Sequence, residues 1–295
     1  MRIALFGGSG QLGTELKGRA KALDFDLFSP VRNEVDVVEA EQVKGVLESL
    51  QPDVVVNAAA YTAVDKAEEE RDLVFAINSD GARNIADACR AVGARLIHIS
   101  TDYVFDGSLG RPLLERDSVN PLSVYGASKL AGEQACLESL AGQCVVLRTQ
   151  ALYGRGGANF VSTMLSLFKD REHIKVVNDQ FVSPTWAGWL AEVVLDLIRI
   201  DCAGVLHASC SGAVSWFDFA KVIQAKSRDI LGLDSQTVIE PIGAKDFQRP
   251  AERPGFSAFD TCLLEATLKR PVASWEVGLD CFLEELRQQR ELLRA

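Results

Sequence analysis

The chain has 295 residues, of which 47% are hydrophobic and 24% are charged, so it is long enough to bury a substantial core. Its formal net charge of −10 argues against a nucleic-acid-binding surface, although local cationic groups could still hold an anionic ligand. No membrane-spanning helix is predicted, because charged residues interrupt the most apolar stretch, 186–200.

The seven cysteines are odd in number and form no C-x-x-C pair, which favours reduced thiols over a disulfide framework. No secretory signal is visible, so we expect a cytoplasmic protein. The three histidines have no metal-ligand spacing, and we therefore predict no metal site.

A short apolar strand, Ile3–Phe6, leads into a glycine loop and then a helix that begins near Thr14. This order is typical of a dinucleotide-binding turn, in which the helix N-terminus faces the cofactor phosphates. The first glycine permits a tight turn, the second lets the backbone approach a pyrophosphate, and the third allows close helix packing. The predicted cofactor contacts here are Gly7, Gly10, Gln11, Leu12 and Gly13.

The segment after the second predicted strand, Asp24–Ser29, bears on the choice of cofactor. A fold specific for NAD often ends this strand with an acid that holds the ribose hydroxyls. Here Arg32 is available for a 2′-phosphate, which favours NADPH; NADH stays open if Arg32 is only a solvated loop residue. Asp36 and Val37 follow and are predicted to meet the adenine.

The third predicted strand, Asp53–Asn57, runs into a set of small residues and one tyrosine. Ligands collect at the carboxyl ends of strands in open α/β sheets, where small residues let a flat ring or ribose approach the backbone. We therefore expect cofactor contacts at this end, although tight packing alone also explains the alanines. The residues concerned are Ala58, Ala59, Ala60 and Tyr61.

The fourth predicted strand, Arg95–Ser100, ends directly before Thr101 and Asp102. A hydroxyl at this position could donate a hydrogen bond to a substrate carbonyl oxygen. Thr101 is therefore a candidate catalytic and substrate-binding residue, and Asp102 a candidate substrate contact. His98 lies inside the strand, and we interpret it as a satisfied sheet residue rather than a catalytic one.

Tyr125 and Lys129 project from one face of a helix predicted from Tyr125 to about Leu140. A free tyrosine, with a pKa of about 10, transfers protons poorly at neutral pH. A nearby ammonium group would lower that pKa, which acid–base work on a carbonyl requires. We predict that both residues are catalytic and contact the cofactor, the alternative being an ordinary surface pair.

The alternation of strands and helices continues to a fifth strand at Gln143–Arg148, and a further sheet strand is predicted at Gly204–Ser209. The fold class predicted is α/β, a Rossmann-type doubly wound parallel sheet with a smaller α-rich C-terminal lobe. The dinucleotide-binding domain is placed at 1–150, rejoined by about 184–212. The substrate-binding lobe is placed at 151–183 and 213–295.

Within that lobe we predict a strand at Val176–Val182 and an α-rich stretch that includes Lys245–Asp260. The stretch carries the basic, proline-rich segment Arg249–Pro254, which suits a diphosphate and makes Arg253 a candidate substrate contact. A solvent-exposed connection is the alternative.

Four motifs therefore stand in one order: Gly7–Gly13, Asn57–Tyr61, Ser100–Phe105 and Tyr125–Lys129. Their order and spacing resemble the extended short-chain dehydrogenase/reductase superfamily and, within it, the dTDP-4-dehydrorhamnose reductase family. The most specific blocks are Ala-Val-Asp-Lys-Ala-Glu at 63–68 and Ser-Thr-Asp-Tyr-Val-Phe at 100–105, and the resemblance runs nearly end to end.

The resemblance implies NADPH-dependent reduction of the C4 ketone of a dTDP-4-dehydro-6-deoxy sugar, as from dTDP-4-dehydrorhamnose to dTDP-L-rhamnose. Tyr125 would protonate the ketone oxygen, and Thr101 would polarise the carbonyl. Lys129 would hold the nicotinamide ribose and lower the pKa of Tyr125. The implied partner is the dTDP-sugar, and a homodimer stays open.

Three positions bear on the substrate and the reaction. Ala151 stands where the family usually has a tryptophan that packs on the sugar, so Ala151 is a candidate substrate contact and the sugar need not be rhamnose. Val182 stands where a small residue is usual. Tyr103 occupies the position of the glutamate of nucleotide-sugar dehydratases, which disfavours dehydration. A nucleotide-sugar epimerase and a non-catalytic NADP-binding regulatory subunit are the remaining alternatives.

Overall fold

The computed structural model describes residues 1–292. The strands are β1 (Arg2–Phe6), β2 (Asp26–Phe28), β3 (Val54–Asn57), β4 (Arg95–Thr101), β5 (Cys144–Thr149), β6 (Leu152–Tyr153), β7 (His173–Val177), β8 (Phe181–Val182), β9 (Thr185–Trp186), β10 (Gly204–His207), β11 (Val214–Ser215) and β12 (Val238–Ile242). The helices are α1 (Gln11–Ala22), α2 (Ala40–Leu50), α3 (Arg71–Phe75), α4 (Gly81–Val92), α5 (Val124–Ser139), α6 (Phe160–Asp170), α7 (Ala187–Arg199), α8 (Trp216–Leu231), α9 (Cys262–Leu268) and α10 (Trp275–Leu292).

A six-stranded parallel sheet organises the fold, with the strand order β2-β1-β3-β4-β5-β10. The chain adds β2 on one side of β1 and β3 on the other, so the direction of winding reverses between β1 and β3. Ligands bind outside the carboxyl ends of the strands at such a reversal. This topology confirms the predicted Rossmann-type α/β fold, including the late sheet strand at β10.

Alternate residues of the central strands feed two apolar cores on opposite faces of the sheet. Leu5 and Val56 point into the core shared with α1 and α7, whereas Ala4 and Val55 point into the core shared with α2 and α4. Burial on both faces is what a parallel sheet covered by helices requires.

The connection between β3 and β4 is not one continuous helix. A 3₁₀ turn at Lys66–Glu68 precedes α3, and a π-helical stretch at Ala76–Asp80 joins α3 to α4. In the π stretch, Asn78 accepts a hydrogen bond from the backbone N–H of Tyr61 at 2.8 Å and donates one to Ser128 Oγ at 3.0 Å. These contacts connect the loop after β3 to α5. Local helix propensity does not predict the π-helical stretch, because the stretch depends on these long-range hydrogen bonds.

Two expectations for the second half of the chain are wrong. The stretch 245–260 is largely irregular rather than α-rich, because Pro250 and Pro254 remove backbone donors and the segment bonds instead to distant loops. The strand predicted at Val176–Val182 is split into β7 and β8 by a turn. β7 pairs in parallel with β12, a strand that the sequence interpretation missed.

Between residues 1 and 292, none of the helices combines the length and the apolar character needed to cross a membrane. The division of the chain into a cofactor domain and a substrate lobe stays a prediction.

Candidate active site

A cleft of about 880 Å³ opens along the carboxyl ends of the sheet strands, across the reversal between β1 and β3. Every predicted cofactor contact lines it: Gly7, Gly10, Gln11, Leu12, Gly13, Arg32, Asp36, Val37, Ala58, Ala59, Ala60, Tyr61, Tyr125 and Lys129. Three of the predicted substrate contacts, Thr101, Asp102 and Ala151, line it as well. The structure therefore brings together residues that are up to about half of the chain apart in sequence.

The glycine loop is packed too closely to carry side chains at two positions. Gly7 has φ of +85°, and a Cβ atom there would lie 2.4 Å from the carbonyl carbon of Ala58. A Cβ atom at Gly13 would lie 2.4 Å from the carbonyl oxygen of Gly7. The N-cap of α1 is Gly10, which has no side chain to occupy the first backbone N–H groups. This open helix terminus beside the cleft fits a dinucleotide diphosphate.

The start of α5 is fixed by two capping contacts that position Tyr125. Ser123 is the N-cap and accepts a hydrogen bond from the backbone N–H of Gly126 at 3.1 Å. Glu68 accepts one from the N–H of Val124 at 2.9 Å. Tyr125 thus lies in the first helical turn, where its ring packs edge-on against Tyr103 with centroids 5.4 Å apart.

Thr101 closes β4 and begins the 3₁₀ turn Asp102–Val104. Its Oγ1 accepts a hydrogen bond from the backbone N–H of Tyr103 at 3.2 Å and donates one to the Asp102 carboxylate at 3.1 Å. Burial raises the pKa of Asp102 to about 6, while hydrogen bonds from Ser257 and Thr101 oppose the rise. Thr101 is therefore held from both sides, with its hydroxyl next to Tyr125.

The acidity of Tyr125 differs from the sequence-based expectation. Burial raises the pKa of Tyr125 well above its ordinary value, and a hydrogen bond with Thr101 acts in the lowering direction. Asp102 and Tyr103 add to the rise, and Lys129 is not among the groups that cause the shift. The expectation that Lys129 depresses the Tyr125 pKa is wrong in this structure, because the lysine amine is bonded elsewhere.

Lys129 is only 2% exposed and is held by β4. Its Nζ donates a hydrogen bond to the carbonyl oxygen of Ile99 at 2.7 Å and lies 3.5 Å from Nε2 of His98. Burial lowers the pKa of Lys129 to about 8, although the charges of Glu133 and Cys136 act in the raising direction. His98 is 1% exposed and bonded, as predicted for a satisfied sheet residue.

Arg32 lies at the rim of the cleft with its side chain 69% exposed. Its guanidinium is 3.7 Å from the carboxylate of Asp36, a distance that leaves most of its donors free for another anion. The rim position fits the phosphate that distinguishes NADPH from NADH.

Ala151 follows β5 with φ of +42°, a left-handed conformation that is uncommon for a residue with a Cβ atom. Its carbonyl oxygen accepts a hydrogen bond from the N–H of Thr185 at 3.2 Å, which joins the end of β5 to β9. The side chain at this position lines the cleft. A substitution here changes the cleft directly.

Arg253 is the one predicted substrate contact that lies outside the cleft lining. Its guanidinium donates two hydrogen bonds to the carboxylate of Asp65, at 3.0 and 2.9 Å, and one to the carbonyl of Ala251 at 2.7 Å. It also bonds to Tyr103, whose pKa burial raises to about 12 while Arg253 opposes the rise. Arg253 therefore meets the cleft through Tyr103.

The sequence interpretation missed several lining residues. Gln150 is 2% exposed, and its Nε2 has no hydrogen-bond partner among residues 1–292. It comes directly after Thr149, the last residue of β5 and the partner of Thr101 at the end of β4, so the rule that strand ends carry ligands would have found it. Lys17 and Lys66 also line the cleft, and their signal in the sequence is only that of ordinary surface lysines.

The reversed parallel sheet, the glycine loop and the set of Thr101, Tyr125 and Lys129 in one cleft define an extended short-chain dehydrogenase/reductase. Comparison with known proteins gives the family. Residues 1–288 match the family model described as the RmlD substrate binding domain, and the chain belongs to that family.

The relatives agree in length as well as in sequence. The dTDP-4-dehydrorhamnose reductase of Escherichia coli K12 is 39% identical over 97% of this chain and 98% of its own. The dTDP-4-keto-6-deoxy-D-glucose reductase of Streptomyces niveus is 33% identical over 94% of this chain and 95% of its own. The crystal structure of dTDP-4-dehydrorhamnose reductase from Bacillus anthracis, in complex with NADP, is 39% identical, with a TM-score of 0.91 over 96% of this chain and 99% of that one.

Proposed function

We propose that this protein is an oxidoreductase that uses NADPH to reduce the C4 ketone of a dTDP-4-dehydro-6-deoxy sugar. The reaction converts dTDP-4-dehydrorhamnose to dTDP-L-rhamnose. The observation that carries the proposal is the meeting of Thr101 and Tyr125 beside the glycine loop in one cleft. The full-length match to a dTDP-4-dehydrorhamnose reductase supports the substrate class.

The cofactor contacts follow from the lining of the cleft. The N-terminus of α1 and the loop Gly7–Gly13 would hold the diphosphate, and Arg32 the 2′-phosphate. Asp36 and Val37 would meet the adenine, Ala58–Tyr61 would lie along the cofactor, and Lys129 would hold the nicotinamide ribose. When bound, NADPH supplies the hydride that reduces the ketone carbon.

Tyr125 is the proposed proton donor. Its raised pKa keeps the phenol protonated at neutral pH, so the proton is present when negative charge develops on the ketone oxygen. The negative charge that develops on the ketone oxygen as hydride arrives is what draws this proton from Tyr125. Thr101 would turn its single hydroxyl proton from the Asp102 carboxylate to the same oxygen and stabilise the developing charge there.

Ala151 and Asp102 are the proposed contacts on the sugar side of the cleft, with Arg253 acting on the substrate diphosphate. The small side chain at Ala151 leaves room for sugars that differ from the rhamnose series. A relative named for reduction of dTDP-4-keto-6-deoxy-D-glucose keeps that second 4-keto sugar in the same proposed substrate class.

The test is a progress curve of NADPH absorbance with a panel of 4-keto nucleotide sugars, including dTDP-4-dehydrorhamnose and dTDP-4-keto-6-deoxy-D-glucose. We expect NADPH consumption equal to the alcohol formed. Conversion of the sugar without NADPH consumption would indicate an epimerase. Tight NADPH binding with no turnover of any sugar would indicate a regulatory subunit.

The proposed location is the cytoplasm, which the seven unpaired cysteines support. A homodimer stays a prediction that light scattering of the purified protein would test.

A further inference from the structure

The side-chain amide of Asn57 has a fixed orientation at the end of β3. Its Oδ1 accepts a hydrogen bond from the backbone N–H of Ala59 at 3.1 Å. Its Nδ2 therefore faces Nδ1 of His98, at 3.1 Å. Asn57 and His98 are 2% and 1% exposed, so bulk water cannot replace either bond.

This orientation determines where His98 carries its proton. An amide NH₂ group only donates hydrogen bonds, so Nδ1 of His98 must accept one and cannot itself be protonated. When the ring carries a single proton, that proton lies on Nε2. Nε2 is the nitrogen that lies 3.5 Å from Nζ of Lys129.

The contact between His98 Nε2–H and Lys129 Nζ is more favourable for the neutral amine than for the charged ammonium. A charged ammonium has three donors and no acceptor, so it meets the Nε2–H donor of His98 without forming a hydrogen bond. The neutral amine has a lone pair that accepts this N–H. The carbonyl oxygen of Ile99, at 2.7 Å from Nζ, accepts a hydrogen bond from either form.

Other charged and titratable groups face Lys129 from its own helix and from β4 and β5. Glu133 pairs with the buried Arg148 at 2.7 Å, so its charge is largely compensated. The lowered pKa of Lys129, about 8, has burial as its first cause and agrees in direction with the His98 contact. The groups are Tyr125, Glu133 and Cys136 on α5, His98 on β4, and Cys144 and Arg148 on β5.

We propose that His98 is a positioning residue for Lys129. Asn57 fixes the imidazole so that its Nε2–H points at the lysine amine. This contact holds the amine in place and favours its neutral form over the charged ammonium. Lys129 then loses its third proton more readily than it would beside a histidine nitrogen that accepts a hydrogen bond. The kinetic consequence rests on the proposed function, whereas the hydrogen-bond arrangement is a property of the protein alone.

The first test is nitrogen NMR of the histidine rings in the cofactor-free protein. The chain has only three histidines, so the His98 signals are assigned by their loss in His98→Gln. We expect a proton on Nε2 and none on Nδ1 of His98. A proton on Nδ1 overturns the proposal.

The second test reverses the hydrogen bond with Asn57→Asp. A carboxylate only accepts, so it draws the ring proton to Nδ1, and Nε2 then accepts from the Lys129 ammonium. The titration midpoint of the Lys129 Cε carbon signal should rise by about one pH unit, as an accepting partner favours the charged form. The alkaline limb of kcat should move upward with it, and the KM for the sugar should change much less.

His98→Gln separates the effect of the reversed hydrogen bond from the effect of the negative charge that Asn57→Asp adds. The glutamine oxygen accepts a hydrogen bond from the Lys129 ammonium, and no charge is introduced. It should also raise the midpoint, and adding Asn57→Asp to it should produce little further change. Gln236→Glu, which adds a charge at an exposed position, is the matched control and should leave the midpoint unchanged.

An unchanged Lys129 midpoint in the folded variants overturns the proposal. If Asn57→Asp does not fold, His98→Gln carries the same test. If the wild-type protein turns over no keto sugar, the proposed function fails, and the two NMR measurements still decide the role of His98.

Discussion

Tyr125 combines a hydroxyl in the cleft with a ring that packs on Tyr103, and Tyr125→Phe removes the first and keeps the second. In Tyr125→Phe the ring keeps its packing on Tyr103, so NADPH affinity should hold. Loss of a general acid should lower kcat by about 10²- to 10⁴-fold. Turnover assays and cofactor titration measure the two effects.

Tyr153→Phe is the matched control for that experiment. The Tyr153 hydroxyl is buried without a hydrogen-bond partner among residues 1–292, and it lies outside the cleft lining. Its removal should leave kcat unchanged. Equal activity of Tyr125→Phe and the wild type would remove Tyr125 from the mechanism.

Arg32 tests the cofactor preference at one exposed side chain. Arg32→Ala removes a charged donor from the rim of the cleft, so the Kd for NADPH should rise about tenfold or more. The Kd for NADH, which has no 2′-phosphate, should change little. Similar losses for both cofactors in fluorescence titrations would refute the assignment of Arg32.

Some residues of the site could be placed from the sequence and others could not. Thr101 and Tyr125 were predictable because strand ends and helical spacing decide where side chains emerge. The direction of the Lys129 amine was not, since it depends on the Ile99 carbonyl and on His98, both on β4 and about 30 residues earlier in the chain. The placement of Arg253 likewise depends on its distant partner Asp65.

At the scale of elements, α5 packs against the π-helical stretch before α4 through a glycine. A Cβ atom at Gly132 would lie 2.2 Å from the carbonyl oxygen of Asn78. Gly132→Ala should therefore lower the free energy of unfolding by about 1–3 kcal/mol, because overpacking outweighs the gain in helix propensity. Chemical denaturation measures the change.

Gly45 in α2 provides the matched control for this prediction, because a Cβ atom there meets nothing within 4 Å. Gly45→Ala should raise the free energy of unfolding by about 0.5–1 kcal/mol. Equal gains for both variants would show that α5 does not need the close approach at Gly132.

Elements differ in how far the sequence predicts them. The strands of the central sheet are short apolar runs and α5 has a Ser123 cap, so local signals place them. β12 was missed because its alternate burial is weak and it is defined by pairing with β7, about 65 residues earlier in the chain. Non-local pairing of this kind leaves no mark in the local pattern.

At the scale of the whole molecule, Asp117 makes the free energy of unfolding depend on pH in the acid range. Arg111 donates two hydrogen bonds to this carboxylate at 2.8 and 2.9 Å, and the N–H of Leu114 donates one at 2.8 Å. These bonds, the arginine first, lower the pKa of Asp117 from 3.8 to about 2. The unfolded chain then binds more protons between these values, so this stabilisation is present above pH 4 and is lost as the pH falls towards 2.

Asp117→Asn should make the free energy of unfolding less steeply dependent on pH below pH 4. Urea denaturation at a series of pH values measures that slope. Asp229→Asn, at an exposed position of α8, is the control and should keep the wild-type slope. A wild-type slope in Asp117→Asn would show that other carboxylates govern acid unfolding.

The position of β10 at the sheet edge has a consequence for protein synthesis. β10 covers β5 only after the intervening segment 150–203 has been made, so a nascent chain leaves the ribosome with one side of β5 unpaired. Unpaired backbone groups of this kind invite contact with other chains. Until residue 207 clears the exit tunnel, β10 cannot cover that edge.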